Sequence, residues 1–137
     1  MVKISDLISY GSENLKSIAD NPRSESRILL SHILSLPPAD LFLRQDQQVT
    51  QDNVDLFKKY IDLRKNRMPI AYIIQKKDFY GLTFKVDNNT LIPRPETEFV
   101  VDEILPLGKK SLLDLCTGSG CIPITMKKFL PNSTISA

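Results

Sequence analysis

The chain has 137 residues and a net charge of +2, from 18 Lys and Arg against 16 Asp and Glu. That is one domain's length, with too little charge to draw a nucleic acid or a membrane surface by bulk attraction. Hydrophobic residues make up 42% and charged residues 25%, which excludes disordered and fibrous classes.

Up to residue 75 the pattern is helical only. Ile4, Leu7, Ile8, Leu15, Ile18 and Ala19 recur at near-helical spacing, with Gly11 as the weak point between them. Asn21-Pro22 predicts a helix start, Asn as N-cap and Pro at the first helical position. Its apolar stripe is Ile28, Leu29, Ile33 and Leu36, and Pro37-Pro38 ends it. Ala39 to Leu43 predicts one more short turn. Thr50 is the expected cap of a further helix whose buried stripe is Val54, Phe57 and Ile61. Arg64, Lys65 and Arg67 suit the negative end of its dipole. Pro69 opens a short apolar segment, Ile70 to Ile74. Short helices of this kind persist only when packed together, and a bundle of ~75 residues is near the lower limit for independent folding.

From Lys77 the pattern turns to strands. Phe79 to Val86 is aromatic and β-branched, with Gly81 marking a bend or bulge. Asp87-Asn88-Asn89 is a turn. Pro93-Arg94-Pro95 cannot lie inside a helix or a central strand, and Pro95 fits the start of a new helix. Phe99, Val100, Ile104 and Leu105 are its expected apolar face, and Pro106-Leu107-Gly108 its end. Gly108 to Ala137 reads as β–α–β: a strand Ser111 to Leu115, a tight loop Cys116 to Gly120, a helix Ile122 to Leu130, and a second strand from Ser133. The residues themselves thus read as a helical part up to about residue 75, followed by a mixed part of strands and helices.

The most informative stretch is Leu112-Leu113-Asp114-Leu115-Cys116-Thr117-Gly118-Ser119-Gly120. Two glycines between a strand and a helix let backbone pass close to a ligand, and an acid precedes them at the strand end. A dinucleotide fingerprint would carry a third glycine at 123, where this chain has Pro, and the acid disfavours a nearby pyrophosphate. Asp with Gly-x-Gly better suits a ligand with an ammonium and a carboxylate, such as S-adenosyl-L-methionine. The plainer reading is a βα turn that needs glycine for geometry. The second stretch is Leu91-Ile92-Pro93-Arg94-Pro95-Glu96-Thr97-Glu98, where two prolines fix the backbone around one cation, or simply form a rigid linker before a helix.

Together, at this separation and after a helical bundle, these stretches resemble the HemK-type N(5)-glutamine methyltransferases of peptide-chain release factors. The likeness covers nearly the whole chain: Leu29-Leu30 with His32, Pro69-Ile70-Ala71-Tyr72, Phe79-Tyr80-Gly81-Leu82, the Pro93-Arg94-Pro95-Glu96-Thr97-Glu98 signature and the Asp114 to Gly120 loop. The resemblance implies the fold class α plus α/β: a helical bundle over 1–75 that helps recognise the release factor, a β-hairpin linker over 76–95, and over 96–137 the incomplete start of a doubly wound, Rossmann-like domain that binds S-adenosyl-L-methionine. Asp114, Cys116, Thr117, Gly118, Ser119 and Gly120 would line the methionine part of the cofactor, with Arg94, Glu96 and Thr97 beside the same pocket. The reaction implied moves a methyl group to the side-chain amide nitrogen of glutamine in a Gly-Gly-Gln motif.

One departure stands out. An amide nitrogen is a poor nucleophile, and the family orients it with an Asn-Pro-Pro-Tyr motif that accepts the amide hydrogens. This sequence has no Asn-Pro-Pro: Asn21-Pro22 is followed by Arg23, and Pro37-Pro38 is preceded by Leu36. No residue is therefore assigned a catalytic role. The sequence also stops before the acid that would hold the ribose, so a truncated or split product is expected, with a separate C-terminal polypeptide as a further partner. The alternatives are a non-catalytic release-factor-binding module or a gene relic; a nicotinamide-dependent Rossmann enzyme is weakened by Pro123. No metal site is expected, since Cys116 and Cys121 lie five positions apart with no histidine near. His32 reads as a packing residue, and Lys58-Lys59 and Lys76-Lys77 as solvated surface. No apolar run approaches the ~18 residues of a transmembrane helix. Met1 to Asp6 lacks a basic stretch leading into an apolar one, and two cysteines make no disulfide scaffold. The expected compartment is the cytoplasm, with no membrane partner and no direct nucleic acid.

Overall fold

In the computed structural model the described residues are 2–108 and 110–137. Met1, where the leader reading begins, and Lys109, in the segment read as β–α–β, lie outside them. The chain divides into two compact units, one ending at Ile74 and the other beginning at Gln75.

The first unit is helical: α1 (Ile4–Leu15), α2 (Pro22–Leu34), α3 (Asp40–Leu43), α4 (Gln51–Lys65) and α5 (Ile70–Ile74). Helices α1, α2 and α4 pack mutually, and α5 lies against α2 and α4. Leu7, Leu15, Leu29, Leu30, Val54, Phe57 and Ile61 fill the core between them. The Asn21 side chain accepts from the Ser24 N–H at 3.2 Å, with Pro22 at the first helical position, as the sequence predicts. Thr50 stands at the N-cap of α4 in extended conformation, but its hydroxyl makes no capping bond; its carbonyl accepts from the Val54 N–H instead.

Three sequence expectations shift. α1 ends at Leu15, so Ile18 and Ala19 pack on the core from the following turn. On α2 the buried positions are Ser26, Leu29 and Leu30, while Ile28 is exposed, because α1 and α4 both grip this helix and move its inner face round. Gly11 is no weak point. It lies buried in α1, where an added Cβ would sit 2.5 Å from Ser26 Oγ, 2.9 Å from Phe57 Cζ and 3.0 Å from Ile61 Cδ1.

The second unit is mixed. Strands β1 (Lys76–Phe79) and β2 (Leu82–Lys85) pair antiparallel, with Phe79 opposite Leu82. The strands read from Lys77 onward form this hairpin, and Gly81, read as a bend, lies at its turn. Tyr80 and Gly81 form its two-residue turn with φ of 50° and 71°, both positive as a type I′ turn requires. A 3₁₀ turn (Pro95–Thr97) leads into α6 (Glu98–Ile104), and a second (Leu105–Leu107) ends at Gly108 in left-handed conformation. Val101 anchors α6, while Phe99 and Val100 are exposed. The 3₁₀ start advances the side chains by a third of a turn per residue, so the phase read from Pro95 is displaced. Strands β3 (Ser111–Leu113) and β4 (Thr134–Ser136) pair parallel, joined by α7 (Cys121–Phe129), which packs on β4 and α6. Phe79, Phe84, Val101, Cys121 and Met126 form this unit's core.

Tyr80 fastens the hairpin to both helices. Its N–H donates to Glu98 Oε1 at 2.8 Å, its hydroxyl to Asp102 Oδ1 at 2.6 Å, and its ring meets Phe129 edge-on at 5.5 Å. The bond to Asp102 holds the phenol above its ordinary pKa, helped by burial and by the negative charges of Asp102 and Glu98. A raised acid pKa means the folded state keeps its proton longer. The contribution is full below the unfolded value near ~10 and is lost as pH rises through the folded one. Urea midpoints measured from about pH 8 to 11 are therefore expected to fall more steeply in the native chain than in Tyr80→Phe. Parallel profiles would contradict this role.

Candidate functional site

The loop between β3 and α7 is built by the strand before it and the helix after it. The Asp114 N–H donates to the Ser136 carbonyl at 2.9 Å, extending the parallel ladder by one residue and fixing the acid at the strand end. The Gly120 N–H donates to the Thr117 carbonyl at 3.0 Å and closes the turn. Cys116, Gly118 and Gly120 have φ of 65°, 60° and 75°. A side chain at 118 would be strained by the backbone alone, since its Cβ would meet nothing nearer than the Cys116 carbonyl at 4.0 Å; at 120 a Cβ would also press on Ile124 Cδ1 at 3.2 Å. Gly120 is the N-cap of α7, and Pro123 falls in its first turn, where its missing N–H costs no helical bond. Pro123 is buried, so its ring serves packing as well.

Two side-chain oxygens here lack partners. Asp114 Oδ2 and Thr117 Oγ1 are both out of contact with solvent and neither makes a hydrogen bond. An unsatisfied buried oxygen costs ~1–3 kcal/mol, so a loop that holds two of them three positions apart is suited to a ligand that brings donors. A carboxylate and a hydroxyl match an ammonium group and a polar neighbour. Leu115 and Cys116 are exposed, and Ser119 is half-buried.

The second stretch is placed differently. Pro93 is buried, Arg94 and Glu96 are exposed, and Thr97 is half-buried. The Thr97 N–H donates to the Arg94 carbonyl at 3.0 Å, making the 3₁₀ turn that starts α6. α6 packs on α7, the helix launched by the Asp114–Gly120 loop. Among the described residues no hydrogen bond or ion pair joins Arg94, Glu96 or Thr97 to that loop. Tyr80 was not singled out as a positioning residue from sequence; a Tyr-Gly pair between Phe79 and Leu82 is the signal that marks such a hairpin turn. No group of three or more His, Cys, Asp or Glu that could hold a metal occurs among the described residues. No described helix is long and apolar enough to cross a membrane.

A compact helical unit followed by a βαβ segment with a glycine-bearing, acid-led loop defines a two-part protein of mixed helix and small sheets. The family model described as the PrmC N-terminal domain matches residues 6–74. Over 93% of this chain the sequence is 35% identical to the release factor glutamine methyltransferase of Clostridium acetobutylicum, and it covers 47% of that protein. The protein of the same name from Nitratidesulfovibrio vulgaris is 38% identical over 88% of the chain, with 42% of it covered; that of Buchnera aphidicola is 41% identical over 80%, with 41% covered. The chain thus spans a little under half the length of these curated relatives. It belongs to the release factor glutamine methyltransferase family.

Proposed function

We propose that this chain supplies the substrate-recognition domain and the cofactor loop of an S-adenosyl-L-methionine-dependent enzyme that methylates the glutamine side-chain amide of the Gly-Gly-Gln motif in peptide-chain release factors. Residues 1–75 recognise the release factor, 76–95 link, and 96–137 begin a Rossmann-like methyltransferase domain that acts in the cytoplasm. The unpartnered oxygens of Asp114 and Thr117, in a family whose relatives are named for methyl transfer, support this reading most directly.

When bound, S-adenosyl-L-methionine supplies the methyl group on a sulfonium. Asp114 would accept from its ammonium group, and Thr117 with the Cys116–Gly120 backbone would hold the amino-acid end. Arg94, Glu96 and Thr97 would lie beside the same pocket. Positioning the acceptor amide needs carbonyl-type acceptors, which an Asn-Pro-Pro-Tyr motif would provide.

Calorimetric titration with S-adenosyl-L-methionine should give saturable binding, weakened about tenfold (~1.4 kcal/mol) in Asp114→Asn with an unchanged melting profile. No heat from the native chain would overturn the cofactor assignment. Incubation with cofactor and a release factor should leave the glutamine unmethylated by mass spectrometry; turnover would overturn the role given to the missing motif. The self-contained core of the helical unit supports a second reading, a release-factor-binding module without catalysis. Association with a release factor in the absence of any cofactor binding would favour it.

A further inference from the structure

The surface of the helical unit has one face where cationic and apolar side chains meet. On α3, Leu41 is buried at 1% exposure, but Phe42 and Leu43 beside it are 64% and 85% exposed. The Arg27 guanidinium lies 5.2 Å from the centre of the Phe42 ring. Arg23 and Arg27, one turn apart on α2, line a cleft of about 70 Å³ together with Phe42. No acid lines that cleft, and among the described residues neither guanidinium has an ion-pair partner. The acid on α3, Asp40, is turned to Arg44 at 3.8 Å. A larger hollow of about 370 Å³ on α4 is lined by Asp55 and Asp62 as well as Lys58 and Lys59, so its charge is balanced and selects nothing.

We propose that the α2–α3 face is a docking surface for an acidic segment of a protein partner, one that carries an apolar side chain. The charge is complementary: two unneutralised arginines attract carboxylates, and their planar forks bind them in two-point geometry. The cleft is too small for a free metabolite but takes one side-chain tip. Arginine and aromatic residues are the types enriched at the centres of protein interfaces. A nucleic acid fits less well, since the exposed Leu43 offers no face for base stacking. A bilayer fits less well too, because α3 is four residues long and has no extended apolar stripe. The inference concerns the helical unit alone and does not depend on methyl transfer.

The test is a titration of the ¹⁵N-labelled full chain with a synthetic peptide of alternating Glu and Leu, followed by amide shifts. The expected result is saturable perturbation confined to the first turns of α2 and residues 40–45, weakened by salt. Arg23→Glu combined with Arg27→Glu is expected to raise Kd at least about tenfold. Phe42→Ser with Leu43→Ser, at positions already exposed, gives a second reading free of any fold loss. Lys58→Glu with Lys59→Glu should bind as the native chain does. The proposal is overturned by absent shifts at millimolar peptide, by shifts centred elsewhere, or by equal loss in the Lys58 and Lys59 variant. It is also overturned if an RNA oligonucleotide or anionic phosphatidylserine vesicles perturb these residues while the peptide does not. Concentration-dependent shifts of the same amides without peptide would assign the face to a second copy and overturn it as well.

Discussion

Gly11→Leu is expected to abolish the native fold of the helical unit, read as loss of the cooperative urea transition in circular dichroism. The reason is distance. The position where a Cβ would stand is 2.5 Å from Ser26 Oγ on α2 and 2.9 and 3.0 Å from Phe57 and Ile61 on α4. Glycine is what lets three helices meet there. Ser26 Oγ already donates to the Pro22 carbonyl at 2.8 Å, so moving it breaks a buried bond. Phe57 and Ile61 are fully buried and have no free space to retreat into. The smaller change Gly11→Ala sets two effects against each other. Alanine gains ~1 kcal/mol of helix propensity, whereas overpacking costs ~1–3 kcal/mol. The net is expected to be destabilising by ~1–2 kcal/mol, and an unchanged urea midpoint would refute the close packing.

Arg64→Met should lower the stability of the same unit by about 2 kcal/mol. Arg64 at the end of α4 grips Glu25 in the first turn of α2 at two points, Nε to Oε2 at 2.8 Å and Nη2 to Oε1 at 3.2 Å. The side chains are 17% and 20% exposed. Removing one member of a fully buried pair costs ~3–5 kcal/mol and an exposed pair is worth ~0–1; this one lies between. The Glu25 bond also holds the guanidinium above its ordinary pKa, chiefly through the hydrogen bond and against the cost of burial. Arg64→Lys keeps the charge but cannot offer two parallel donors, and is expected to recover less than half of the loss in urea melts. Full recovery would show that charge alone matters.

What could be read from sequence follows physical lines. Val54, Phe57 and Ile61 announce their helix face because α4 is long and regular, and Asn21-Pro22 announces a helix start because capping is local chemistry. The Arg64–Glu25 pair joins residues 39 positions apart, and no local pattern carries it. Gly11 reads as a weakness when propensity is considered alone; its use is visible only once α2 and α4 are in place. Phe99 and Val101 exchange roles because a 3₁₀ turn precedes α6 and shifts its phase. At the candidate site, the Asp114 to Gly120 loop is legible since left-handed backbone demands glycine at 118 and 120. The left-handed Cys116 and the orphaned oxygens of Asp114 and Thr117 are not legible, being products of how the loop closes.

The Tyr80-Gly81 turn has a kinetic corollary. A hairpin with a two-residue connection zips from neighbouring contacts, on the order of 1–10 μs. The parallel pair β3–β4 must first bring Ser111 to Thr134 across the whole of α7, and such long excursions are slow to close. The hairpin therefore matures first, and Tyr80, presented on it, is the ready-made latch onto which α6 and α7 later dock.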